Sequence, residues 1–232
     1  MKGLKYILLL AVLFTLGACQ RSQEERNRIL KVYNWADYID EDVLAEFPEW
    51  YKEQTGEDIE VIYQTFDINE IMLTKIERGH EDFDVVCPSE YIIERMMKKD
   101  MLQPINRDFG NTPDYIPNLA PYIQEELNKM SFDERKVTDY AVAYMWGTAG
   151  VLYNKGLVTE EEALTCGSLW DPKFNNKILM KDSYRDCYGL SIIYANTERL
   201  QKGEVTVEQF MNDNSKDGIV MAEEYLKMMK PN

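Results

Sequence analysis

The order of extended and helical segments between Ile29 and Pro88 limits this 232-residue chain more than any other feature. ILKVYNW alternates in the manner of a strand, with Leu30 and Val32 set against Ile29, Lys31 and Tyr33. Asp40 can cap a helix from about Glu41, with Val43, Leu44 and Phe47 on one face; Pro48 should kink or divide it, and Gly56 marks its end. DIEVIYQTF predicts a second strand, NEIMLTKIERG a second helix with Ile71, Leu73 and Ile76 apolar, and FDVVCP a third strand. Strands separated by helices of this length need crossover connections, hence a largely parallel sheet covered on both faces, and the expected class is α/β. A helix over Ile92 to Lys99 follows, then polar and Pro-rich sequence from Pro104 to Lys136 with one helix near Ile123 to Lys129. VTDYAVAYMW and AGVLYNK read as successive strands crossing into a second lobe. In that lobe KILMKD is predicted as a strand, with helices near Cys187 to Tyr194 and Ile219 to Met229.

The first segment stands apart. MKGLKYILLLAVLFTLGAC carries Lys2 and Lys5, an apolar run from Tyr6 to Leu16 too short to span a bilayer, and the small residues Gly17 and Ala18 before Cys19. That is the pattern of an export signal, and Leu16-Gly17-Ala18-Cys19 resembles the bacterial lipobox, in which cleavage leaves a lipid-bearing cysteine at the new N-terminus. The expected organisation is a lipoprotein signal peptide over 1–18, a tether over 19–28, a first α/β lobe over 29–143 and a partial second α/β lobe over 144–232. A hydrophobic content of 45% excludes a disordered chain. The formal charge of −15 repels nucleic-acid phosphate and anionic headgroups and favours cationic ligands, although solubility alone would use the same composition. Beyond Cys19 the chain has Cys87, Cys166 and Cys187, an odd number at spacings that suit neither a disulfide framework nor zinc. His80, in the polar turn RGHED, is the only histidine, which argues against metal-histidine and nucleophile-histidine-acid chemistry.

In parallel sheets ligands bind beyond the carboxyl ends of the strands. Trp35 and Tyr38 follow the first strand, Ser89 and Tyr91 the third, and Asp182 with Asp186 follows KILMK. Aromatic faces beside carboxylates suit a long cation, because rings pack on methylenes and attract ammonium groups while acids pair with the charged ends. The same residues have plainer uses: edge packing for Trp35 and Tyr38, opening of the helix IIERMM for Tyr91, and an N-cap for Asp182. Asp182 and Asp186 at i, i+4 could also share a helix face as the acid pair of an exported carbohydrate-active enzyme. DNSKDGIVMAEE fits an EF-hand loop at Asp213, Ser215, Asp217, Gly218, Val220 and Glu224, which would make a calcium-binding interaction module. Met221 at the ninth position argues against that reading, and Asp217 would serve equally as the N-cap of a helix from Gly218. No cofactor and no resident metal are expected.

YNWADYI, EVIYQTFDINEIMLTKI, FDVVCPSEYIIERMMKKDMLQPIN, YMWGTAGVLYNK and LWDPKFNNKILMKDSYRD, in that order, resemble the polyamine-binding proteins of bacterial ABC transporters, the spermidine/putrescine type. The resemblance covers Leu30 to about Asp186 and continues more weakly to the end. It implies a two-lobed, type II periplasmic-binding-protein-like fold that closes on a ligand held in the cleft and delivers it to a membrane permease, with no bond made or broken. Family ligand positions fall on Trp35, Tyr38, Ser89 and Tyr91, and on Asp182 or Ser183 followed by Asp186. The family often has a second acid where Ser183 stands and glutamate where Asp186 stands, so Asp186 reaches one methylene less far. Family members continue well past the point where KMMKPN ends, so the resemblance implies a second lobe and return segments incomplete in this chain, and a truncated, impaired form is the expectation. The implied partners are a polyamine, an ABC-transporter permease and, through Cys19, a membrane on the exported side, with no role for nucleic acid.

Overall fold

The computed structural model describes residues 24–231 apart from His80, Asn212 and Asn214. The predicted signal peptide, the predicted lipidation site Cys19 and the turn histidine therefore lie outside the described residues. The chain separates into two compact units, one running to Trp146 and the other beginning at Gly147.

The first unit is built on strands β1 (Ile29–Trp35), β2 (Glu60–Phe66) and β3 (Val85–Val86), with helix α1 (Glu41–Thr55) between the first two and α2 (Asn69–Gly79) between the second pair. All pairings are parallel and the order is β2-β1-β3, so the first strand in sequence is the middle of the sheet. The chain steps one way from β1 to β2 and then back across β1 to β3. Because such crossovers are right-handed, this reversal sends α1 and α2 to opposite faces. Only two residues of FDVVCP form the regular third strand, but Asp84 N–H donates to Lys31 O and Cys87 N–H to Tyr33 O, extending the ladder at both ends.

Local signals explain the helix ends. Asp40 accepts from Asp42 N–H at 3.0 Å, Glu41 and Asp42 lie in the first turn, and Gly56 closes α1 at φ 78°, where a side chain would strain the backbone. Pro48 neither ends nor divides α1. The helix has no buried residue, so the Leu44 carbonyl that Pro48 cannot bond can be hydrated. The apolar core lies on the other helices. Tyr33, Phe66, Met72 and Leu73 close around Ile92 and Met96 of α3 (Glu90–Lys98), and Tyr33 stacks on Phe83 with centroids 4.5 Å apart. At the amino ends of the strands Arg26 binds Asp82 and Asp84 at 2.8 and 2.9 Å, and Lys31 binds Asp82 at 2.6 Å. Lys31 and then Arg26 hold the Asp82 carboxyl well below its ordinary range.

Helix α4 (Pro121–Lys129) leads to a hairpin of β4 (Ser131–Phe132) and β5 (Arg135–Lys136), turned by Asp133 and Glu134, both at positive φ. Beyond it the structure departs from expectation. VTDYAVAYMW begins with a 3-10 turn at Val137–Asp139 and continues without regular structure, and neither AGVLYNK nor KILMKD forms a strand. Alternation marks a segment that could be a strand, but pairing makes one, and no described segment pairs with these. Leu152 and Leu179 stand fully exposed.

The second unit has helices and, among its described residues, no strand: α5 (Glu160–Ala163), α6 (Tyr184–Ala195), α7 (Thr197–Gln201) and α8 (Lys216–Met229). Its core joins Ile192 of α6, Phe210 and Ala222 of α8. Trp170 lies flat on Tyr194 at 4.0 Å and donates its indole N–H to Tyr225 O at 2.8 Å, satisfying the polar edge of a buried ring.

Candidate ligand-binding site

Trp35 and Phe66 are the last residues of β1 and β2 and are register partners, so their rings meet, with centroids 4.6 Å apart. Tyr38, three residues past Trp35 and 43% exposed, approaches it at 6.0 Å and completes an aromatic patch at the carboxyl end of the sheet. Beneath the patch Asn34 is 1% exposed. Its Oδ1 accepts from Trp35 N–H at 2.8 Å and from the Tyr144 hydroxyl at 2.6 Å, and Tyr63 donates to Trp35 O at 3.3 Å. The backbone that presents Trp35 is therefore held by a buried amide and two phenols. Removing the Tyr144 hydroxyl by Tyr144→Phe leaves Asn34 Oδ1 with only the Trp35 amide of these two donors, and should lower the urea-unfolding free energy by about 1 kcal/mol.

A second polar group gathers beyond β2 and β3. Asn69, at the start of α2, donates to Ser89 Oγ and to the Tyr91 hydroxyl, both at 3.0 Å, and accepts from Ser89 N–H at 3.2 Å. Tyr91 in turn donates to Glu70 Oε1 at 3.0 Å. Burial, with the neighbouring Glu70 adding to it and Asn69 partly offsetting it, pushes the Tyr91 phenol up to about 12, so it keeps its proton at neutral pH. Trp35 and Tyr91 pack against the same buried cluster, which places the aromatic patch and the hydroxyl-carboxylate group on one part of the unit. Cys87, where β3 ends, is pushed up to about 11 by burial and stays a thiol.

The acidic residues of the second unit have a different setting from the one anticipated. Ser183, not Asp182, caps α6, accepting from Asp186 N–H at 3.3 Å, and Asp182 lies before the helix. Asp182 and Asp186 thus do not share a helix face, which removes the basis of the acid-pair reading. Asp186 is paired with Lys181 at 2.8 Å. The EF-hand reading meets a similar obstacle. Ser215, not Asp217, caps α8 by accepting from Gly218 N–H, so Asp217 and Glu224 are spread along a helix about 10 Å apart in rise instead of around a loop. Among the described residues no group of three or more acidic, cysteine or histidine side chains could hold a metal ion.

No protein-family model matches the chain. It is 29% identical over 218 residues to the spermidine/putrescine-binding periplasmic protein of Salmonella typhimurium, covering 88% of this chain and 58% of that one. It is 35% identical over 127 residues to a putrescine-binding periplasmic protein of Escherichia coli, covering 55% and 31%. A solved Listeria monocytogenes structure described as a spermidine/putrescine ABC transporter matches with TM-score 0.66 at 34% identity, covering 88% of this chain and 55% of that one. The chain is a relative of the spermidine/putrescine-binding periplasmic proteins. It spans a little over half the length of the first of these relatives, and over that span it has the α/β fold of the two-lobed type II binding proteins.

Among these polyamine-binding relatives the structure adds residues that spacing alone passes over. Asn34, Asn69 and Glu70 are polar residues at strand ends or helix starts, where capping is the ordinary explanation. The one available signal for Asn69-Glu70 is their position directly after the second predicted strand, at the same edge as Trp35. Tyr144 has none, because it meets Asn34 from 110 residues away.

Proposed function

We propose that this chain is an exported solute-binding protein that captures a polyamine, spermidine or putrescine, for the permease of an ABC transporter, and that it makes and breaks no bond. The observation that carries the reading is the pairing of an aromatic patch, Trp35 with Tyr38 and Phe66, with the Ser89, Tyr91 and Glu70 group at the carboxyl ends of the parallel strands. A polyamine is a chain of methylenes broken by ammonium groups. Rings take both parts, by contact and by cation–π attraction, and hydroxyl and carboxylate oxygens accept the N–H donors. Trp35, Tyr38, Ser89 and Tyr91 are the ligand residues of the first unit. In the second unit Asp182 and Asp186 offer carboxylates and Ser183 a hydroxyl, an incoming amine displacing the Lys181 ammonium from Asp186. A lipid on Cys19 tethers the protein to a membrane on the exported side.

Isothermal titration of the full chain with spermidine and with putrescine, beside a circular-dichroism melt of the same sample, tests the reading. Saturable heat with either amine and a cooperative melt is the expected result. A cooperative melt with no heat from either would overturn it.

A further inference from the structure

Two helices in the first unit begin with polar side chains that bond each other instead of their own first turns. Ser89 is the N-cap of α3 with the extended backbone of one, φ −70° and ψ 157°, yet its side chain makes no capping bond. Asn69 opens α2, and its Oδ1 accepts from Ser89 N–H, twenty residues away, instead of from its own first turn. The two side chains are turned toward each other. The Asn69 amide, 6% exposed, makes three bonds in all: two donations, to the Ser89 and Tyr91 oxygens, and one acceptance.

The arrangement has a directional consequence. With an Asn69 N–H arriving at the Tyr91 oxygen, the Tyr91 proton is directed to Glu70, and the hydroxyl is fixed from both sides. The raised phenol keeps that proton in place at neutral pH. The second Asn69 N–H goes to Ser89 Oγ, while Ser89 N–H returns a bond to the same amide. One side chain thus sets two hydroxyls on a different helix, at the strand edge that carries Trp35.

We propose that Asn69 is the positioning residue of this site, its side-chain amide holding the Ser89 and Tyr91 hydroxyls where they meet the ligand. This rests on the polyamine-binding reading, and Asn69 itself acts through those two residues instead of touching the ligand. Preorganised partners spare the binding step the ordering of loose side chains, so a substitution that frees them weakens affinity without removing a contact.

A double-mutant cycle in the full chain tests the proposal, with spermidine as the probe in calorimetric titration. Asn69→Ala should weaken spermidine binding about tenfold, from the loss of two oriented hydroxyls. In a chain already carrying Ser89→Ala and Tyr91→Phe, the same change should cost less than about twofold, because nothing is left for Asn69 to position. A general packing role would give the same loss in both backgrounds, and that result, or unchanged affinity in Asn69→Ala, overturns the proposal. If Asn69→Ala fails to melt cooperatively, Asn69→Asp keeps the acceptor for Ser89 N–H, removes both donors and takes its place in the cycle. Absence of spermidine binding by the unaltered chain would defeat the polyamine reading instead. The same cycle followed by melting temperature needs no ligand and then decides: additive losses overturn Asn69's hold on the two hydroxyls, and non-additive losses support it.

Discussion

Replacing Trp35 with alanine should weaken spermidine binding by about tenfold or more, as titration of the variant beside the unaltered chain would show. The indole is the largest aromatic face at the carboxyl end of β1, and an ammonium over such a face gains up to about 2 kcal/mol once water is excluded. Trp35 also packs on Phe66, so the alanine variant loses some stability and needs a companion. Trp35→Phe keeps a ring against Phe66 but offers a smaller and weaker face to a cation, and should recover the melt more fully than the affinity. Unchanged spermidine affinity in Trp35→Ala would remove Trp35 from the site.

The largest effects on stability are expected in the two separate cores. Leu73 is 2% exposed in the first and Ile192 is 1% exposed in the second. Truncation of either to alanine should cost about 2–5 kcal/mol, a large part of the roughly 5–15 kcal/mol that holds an ordinary domain together. Because each unit has its own buried cluster, the damage should be confined. Amide exchange followed by mass spectrometry should quicken in Leu73→Ala for segments up to Trp146, and in Ile192→Ala for segments from Gly147 onward. Equal quickening of both units by either substitution would show that the cores unfold as one.

The described residues from Ile29 to Lys98 are the most legible because their helix ends and their alternation of strand and helix are specified locally. Asp40 and Gly56 close α1 through bonds to groups two and four residues away, α2 begins and ends where its letters suggest, β1 keeps its predicted extent, and β2 starts two residues later than predicted, at Glu60. The alternation of strand and helix then restricts the sheet to parallel pairing, and the edge that carries Trp35, Tyr38, Ser89 and Tyr91 follows from that. The extended segments of 137–182 lack this support: their letters alternate, but a strand needs a neighbour to take its backbone bonds, and sequence periodicity does not supply one. Capping showed the same limit where several polar residues compete. Ser183 and Ser215 took the positions assigned to Asp182 and Asp217, since the cap is decided by which oxygen reaches the N–H groups of the first turn. The Asn69 link to Ser89 and Tyr91, and the Tyr144 bond to Asn34, belong wholly to tertiary structure. They join residues 20 to 110 positions apart, and only folding of the parallel sheet brings such groups within the 3 Å over which a hydrogen bond acts.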